Sequence, residues 1–575
     1  LPFVRPLAFI GAALPLLTPV EHSKYQERAG RNRGAAFLWL RLCPGSFDAD
    51  IDAMTLERRQ TMGQISARLA LAAALALAAT GGSVEAKSLR LNITADPSQM
   101  DPITESELIA GDIIRNMYED LAGIDKDGKV IPVLATEWQA VDGGKTWRFK
   151  LRTGVKFHTG REMKAADVKR SFEALLTPAL KPGASQVYLK DVVGAQDMLD
   201  GKATELAGVK VVDDATVEIT FNKADVLFPI YPVRIFDTDV LKQGGDWFLK
   251  ASAGTGPFQF VEWKRGSEVR LKAFPGYWDG APKIDEVAFM VVPNIETALS
   301  LYETRGLDLV EVPPSGTRAV LKDSRYDNQT IKVPAAQITY LGMNQNLYAP
   351  FKDKRVREAI SLAVDRDGFV KGILGGAGLP LYGSITPGVA GYAPVAKIPY
   401  DPERAKKLLA EAGFPDGKGL PPIDIQATPV EKDALAALAD QFNKVLGMQV
   451  NVKIVERATY IKQLNAGEVA FFPWGWTADY PDALYFLSQL WDSRSPYDRV
   501  RWKNEDYNKL IDQAQGEPNA EARYKIYAQA EKIIVDDVGM APLYVRTQIW
   551  LKQPNVKNVY LTPFRMLPYA KVEMD

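Results

Sequence analysis

The sequence predicts an α/β protein with more than one sheet, and three stretches carry that expectation. Trp147, Phe149 and Leu151 alternate with Arg148, Lys150 and Arg152, the period-two pattern of a strand with one wet face. Asp401 as N-cap, Pro402 at the first helical position and Gly413 past the end bracket a helix carrying Ala405, Leu408, Leu409 and Ala412 on one stripe. A helix from about residue 432 to 446 is followed by the strand-like Val450, Val452 and Ile454, so the two element types mix without a repeat period.

The remaining elements follow in chain order. After Leu151, Thr153-Gly154 turns the chain into Val155-Lys156-Phe157, which reads as the second arm of a hairpin. Val168, Phe172, Leu175 and Leu176 form a helical stripe from Ala165 that Pro178 stops. Alternation returns at Val217, Ile219 and Phe221, and Val356, Ala359, Ile360, Ala363 and Val364 follow three-four spacing.

The first 86 residues describe a different object. Arg58, Arg59 and Arg68 precede the apolar run Leu69 to Ala79, and Val84-Glu85-Ala86 supplies small residues before the polar Lys87-Ser88. This order is that of a secretory signal peptide over residues 62–86, with cleavage after Ala86, and its apolar run is too short to span a bilayer. Residues 1–61 read as upstream sequence, with Met54 or Met62 as the start. The single cysteine, Cys43, lies before the cut, so the exported chain carries no thiol to oxidise and no cysteine for a lipid anchor.

Composition narrows the function classes. The chain has 575 residues, of which 46% are hydrophobic, enough for a large core in two or three substructures. With 70 basic against 71 acidic side chains there is no electrostatic case for nucleic acid. After Ala86 the only histidine is His158, so neither imidazole metal ligation nor a serine or cysteine triad has its parts. The adjacent pair Asp536-Asp537 is accounted for by a solvated face. No cofactor is called for, and the expected protein is not an enzyme.

Several motifs occur in an order that resembles the family 5 extracellular solute-binding proteins, the oligopeptide, dipeptide and nickel binders of ATP-binding-cassette importers. They are Leu134-Ala135-Thr136-Glu137-Trp138, the turn Asp142-Gly143-Gly144-Lys145-Thr146-Trp147, the stretch from Phe149 to Gly160, Gly254-Thr255-Gly256-Pro257-Phe258, Tyr277-Trp278, Gly306-Leu307-Asp308-Leu309, Val356-Arg357-Glu358-Ala359 with Asp365-Arg366, and Gly475 to Pro481. The resemblance spans nearly the whole chain after Ala86. It implies a bilobed periplasmic-binding-protein fold of type II with an extra subdomain from the N-terminal half and ligand enclosed between the lobes. By analogy, residues 87–117, 240–340 and 546–575 form lobe 1, residues 118–239 the extra subdomain, and residues 341–545 lobe 2.

The same resemblance nominates site residues. In peptide-binding relatives the aspartate equivalent to Asp479 pairs with the ligand's α-ammonium, and the residues before it, Trp476 and Thr477, lie along the ligand main chain. A carboxylate sequestered from water needs such a partner, although Asp479 before Pro481 also suits a turn cap. Trp474 and Trp476 read equally as pocket walls or core, and aromatic walls serve sugars as well as peptides, while Tyr480 is expected at the ligand beside Asp479. Glu105 and Ser106 lie in a segment that runs beside the ligand backbone in relatives, or form a solvated acidic turn. Asn344 follows a lobe-crossing strand and contacts ligand or hinge.

The expected function is a monomeric periplasmic protein that delivers a peptide, or a similarly small polar solute, to an inner-membrane permease. An oligosaccharide, an opine or a metal chelate remains open as the ligand, as does a sensor role without transport.

Overall fold

The computed structural model describes residues 86–575 apart from Ser106, Ala184 and Leu567. The expected signal peptide and upstream segment therefore lie outside the described residues, except for Ala86. Among the described residues no helix is long and apolar enough to cross a membrane.

A twelve-stranded mixed sheet is the frame. At one end Val450–Ile454 runs parallel to Ile423–Ala427, which meets Phe471–Thr477, and that strand pairs antiparallel with Gln337–Met343. At the other end Ser88–Ile93 lies parallel to both Glu286–Val291 and Leu309–Glu311, followed outward by the antiparallel strands Glu268–Ala273 and Phe258–Lys264. The long strand Ala541–Lys552 joins the halves: Ala541 to Tyr544 pair with Gln337–Met343, and Trp550 to Lys552 with Leu309–Glu311. The ladder shifts register between Thr339 and Tyr340, opposite Pro542, a residue with no N–H to donate and therefore suited to a bulge.

The apolar interior divides as the sheet does. One cluster gathers Leu341, Ile360, Leu409, Phe442, Phe471 and Tyr527, and another gathers Leu91, Phe149, Phe172, Phe221, Phe258 and Val287. The second cluster includes the separate four-stranded sheet, in the order Ala135–Val141, Thr146–Leu151, Thr216–Thr220 and Val209–Asp213. The expected alternation holds at Thr146–Leu151, where Trp147, Phe149 and Leu151 are buried while Arg148 and Lys150 are exposed.

Its hairpin partner is not the expected one. Thr146–Leu151 pairs with Ala135–Val141 across the Asp142–Gly144 turn, and with Thr216–Thr220 on its other side. Val155 to Phe157 instead closes a separate tight loop, in which the Phe157 N–H donates to the Arg161 carbonyl at 2.8 Å. Thr153-Gly154 marked a turn, but a turn signal does not say which strand the chain turns away from.

The capped helix forms as Pro402–Glu411, with the Asp401 carboxylate accepting from the Arg404 N–H at 3.0 Å and Gly413 at φ +95°. The stripe from Ala165 forms the helix Ala165–Leu176, and Val168, Phe172, Leu175 and Leu176 on it are fully buried. The conformational demand on glycine is plain at Gly254, where a Cβ would stand 1.9 Å from the Met117 carbonyl oxygen. The Gly254 to Phe258 motif is therefore a place where two backbones touch.

Candidate functional site

Trp474 and Trp476 sit two apart on the strand Phe471–Thr477, so their rings leave the same face of the sheet. Both are half-buried, as is Thr477. The Ala478 N–H closes onto the Ala336 carbonyl at 2.7 Å, and the chain then leaves the sheet at Asp479.

The Asp479 carboxylate accepts hydrogen bonds from Tyr485, at 2.9 Å, and from Tyr188, which comes from the N-terminal half of the chain. The turn cap is supplied three residues later, where Asp482 accepts from the Leu484 N–H at 2.9 Å. Asp479 keeps an exposed surface although protein surrounds it densely, as for a group lining a narrow solvent-filled gap. That surround raises its pKa above the ordinary carboxylate value; the two phenol hydrogen bonds and the charge of Arg115 oppose the rise.

Glu105 faces the same gap. Its pKa is also raised, first by burial, with the negative charge of Asp479 adding and Arg234 and Arg115 opposing. Glu105 thus lies near enough to Asp479 to feel its charge, in a site rich in carboxylate. The nearby arginines are already engaged: Arg234 with Asp120, and Arg115 with Asp112 at 3.2 Å.

Tyr480 is buried 4.9 Å from the Tyr231 ring and 5.0 Å from the Tyr485 ring, so it builds the wall behind Asp479 rather than its open side. Asn344 is fully buried and donates to the carbonyls of Gly467, at 3.3 Å, and Arg499, at 3.1 Å. It touches the site only through the Arg499 main chain. Ser106 lies outside the described residues.

Arg499 was not among the candidates. Its guanidinium carbon lies 4.6 Å from the Trp474 ring centroid and 5.1 Å from that of Trp476, with Tyr497 at 5.9 Å. The residue is 4% exposed. Nη2 donates to Asn465 at 2.8 Å, while Nε and Nη1, together with the indole N–H groups of Trp474 and Trp476, have no acceptor in hydrogen-bond geometry. Among the described residues Arg499 forms no ion pair. A desolvated stack on an aromatic face returns about 2 kcal/mol or somewhat more, whereas removing an ion from water costs several. The rings orient Arg499 without compensating its burial.

No single stretch of sequence announces these partners. Tyr188 stands on the four-residue helix Gln186–Leu189, 291 positions from Asp479. The legible signal was the i, i+2 spacing of Trp474 and Trp476, which puts two large rings on one face.

His158 is a packing residue: its ring nitrogens bond Ser252 Oγ at 2.6 Å and the Gly256 carbonyl at 2.8 Å, and burial pushes its pKa down to about 4. Among the described residues no group of three or more metal-ligating side chains is placed to hold an ion.

Comparison with known proteins agrees with this architecture. The family model for the middle region of bacterial extracellular solute-binding proteins, family 5, matches residues 129–498. Heme-binding protein A of Haemophilus influenzae is 30% identical over 488 residues, covering 80% of this chain and 87% of that protein. The dipeptide-binding protein of Escherichia coli is 27% identical over 536 residues, 89% of this chain and 99% of its own length. Among solved structures, the murein tripeptide binding protein MppA of Escherichia coli superposes with a TM-score of 0.72 at 25% identity, covering 85% of this chain and 99% of that one. The fold is the bilobed one of the periplasmic binding proteins, and the chain belongs to the bacterial extracellular solute-binding proteins of family 5.

Proposed function

We propose that this chain captures a small peptide in the periplasm and hands it to an inner-membrane ATP-binding-cassette permease, acting as a monomer and catalysing no reaction. The observation that carries the reading is the pair Asp479 and Glu105. Both face one gap and both have their pKa raised by burial, and the charge of Asp479 raises that of Glu105 further. A peptide α-ammonium placed there supplies the missing charge and three donors, and it displaces the Tyr188 hydroxyl from Asp479 as the better partner. The dipeptide and murein tripeptide specificities named for two relatives fit a site of this charge. The half-buried rings of Trp474 and Trp476 are then the sequence-tolerant wall beside the ligand chain.

The test is native mass spectrometry of protein purified without refolding, followed by calorimetry with free and N-acetylated peptides. Tight binding of free peptides that acetylation weakens is the expected result. Binding of hemin, the ligand class named for the Haemophilus relative, or of a neutral sugar, with no peptide binding, overturns the reading.

A further inference from the structure

Arg499 is a cation assembled for an acceptor that the described residues do not supply. It is 4% exposed, makes no ion pair among them, and leaves Nε and Nη1 without acceptors. The indole N–H of Trp474 is equally unused, and that of Trp476 has only the Tyr485 hydroxyl near it, outside good hydrogen-bond geometry. Those two rings flank the guanidinium. Among the described residues the only side chain that accepts from the guanidinium in good geometry is Asn465, through Nη2, which leaves the other edge of the plane open.

The hydroxyls nearest this cluster do not fill the role. The Tyr340 phenol lies within reach of the Arg499 guanidinium, but outside good hydrogen-bond geometry and as a neutral acceptor that brings no countercharge, and Tyr485 is committed to Asp479. The closest carboxylate in sequence, Asp498, turns away and accepts from the Arg501 N–H at 2.9 Å. The main chain of Arg499 is meanwhile held by Asn344, and its guanidinium by Asn465.

We propose that Arg499, with the N–H groups of Trp474 and Trp476, is an anion subsite that takes a carboxylate of the bound solute. A planar carboxylate fits one edge of the guanidinium, where the unused Nε or Nη1 lies beside the second hydrogen of Nη2, and the indole donors approach it from the ring side. The Trp476 ring links this subsite to the ammonium end of the site, since Tyr485, which holds Asp479, lies 6.4 Å from that ring. One solute then meets a cation-seeking pair at Asp479 and Glu105 and an anion-seeking cluster at Arg499. The inference deepens the peptide reading: the favoured solutes are peptides with an acidic group within reach of the ammonium anchor. Access to Arg499 comes when the lobes part.

The experiment compares acids with their amides. Tripeptides of alanine carrying glutamate or glutamine at each position in turn, and the trialanine C-terminal amide, are titrated calorimetrically into the parent protein and into Arg499→Met and Arg499→Lys. At one position the acid should bind about thirtyfold or more tightly than its amide. Arg499→Met should erase that ratio and Arg499→Lys should keep part of it. Equal affinity of acid and amide at every position overturns the subsite, and so does a preference that survives in Arg499→Met. If Arg499→Met fails to fold, the parent's acid-to-amide ratio and the Lys variant still decide. Thermal shift with glutarate against glutaramide runs beside the titration. If no peptide binds but glutarate stabilises the parent and not the variant, the peptide reading fails and the subsite stands; if glutarate also does nothing, both fail.

Discussion

The Tyr188 hydroxyl donates to the Asp479 carboxylate across 291 positions of chain, from the N-terminal half to the loop that follows the strand Phe471–Thr477. The bond ties a residue of the family motif to one that no motif contains. It also occupies the group that the peptide reading assigns to the ligand.

Asp479→Asn keeps the shape of the side chain and removes its charge. Free-amine peptides should lose about 2–5 kcal/mol of binding, roughly thirtyfold to several thousandfold in affinity, because a buried ammonium is left without its charge partner. N-acetylated peptides should bind poorly to the parent and lose little more on mutation. Calorimetry that finds free and acetylated peptides equivalent refutes the anchor.

Tyr188→Phe removes the donor while keeping the ring beside Tyr231, 5.2 Å between centroids. A hydrogen bond to a charged group contributes about 1.5–3 kcal/mol, and this one exists only while the two halves are together. Without ligand, the variant should populate a more open form with a larger radius of gyration by small-angle scattering. With saturating ligand it should match the parent. Identical ligand-free scattering would show that the bond does not hold the halves.

Stability should fall as pH rises from about 4.5 to about 7 through Glu531. Its carboxyl accepts from the Ser384 N–H at 2.8 Å and the Ile385 N–H at 3.1 Å, yet burial pushes its pKa up to about 7 from 4.5. The folded state holds that proton more tightly than the unfolded chain, so the slope of unfolding free energy with pH is negative across this window. The shift is worth roughly 3 kcal/mol at most. His158, pushed down to about 4, works with opposite sign: its contribution is lost as pH falls from 6.5 toward 4. In urea unfolding at several pH values the stability of the parent relative to Glu531→Gln should fall as pH rises from about 4.5 to about 7, a difference in which His158, present in both, cancels. Parallel curves would exclude Glu531 as a source.

Export should remove everything through Ala86. N-terminal sequencing of the secreted protein should read Lys87-Ser88-Leu89. A product that retains Leu71 to Ala79 contradicts the processing site.

What could be read in advance depended on how local the signal was. The helix Pro402–Glu411 was legible because its cap, its proline and its terminal glycine act within one or two turns of chain. The strand Val450–Ile454 was legible as a strand, yet Val452 and Ile454 are 39% and 37% exposed because it lies at the sheet edge, and position within a sheet is not encoded in alternation. The arms of the Thr146–Leu151 hairpin were mispaired for the same reason. At the site, Asp479 and the two tryptophans came from a motif. Tyr188 and Arg499 came from loops and a short helix brought near only by the closed chain, where no spacing rule applies.

The strand Ala541–Lys552 has a mechanical consequence. It is hydrogen-bonded into both halves of the twelve-stranded sheet, so neither half can slide past the other without breaking its ladder. Any gaping of the molecule must be absorbed as bending and twisting along one continuous ribbon, and the register shift opposite Pro542 is where its pairing is already irregular. The chain is thus built like a leaf spring, whose stiffness can be tuned from Pro542 and Leu543 without touching a residue that meets the solute.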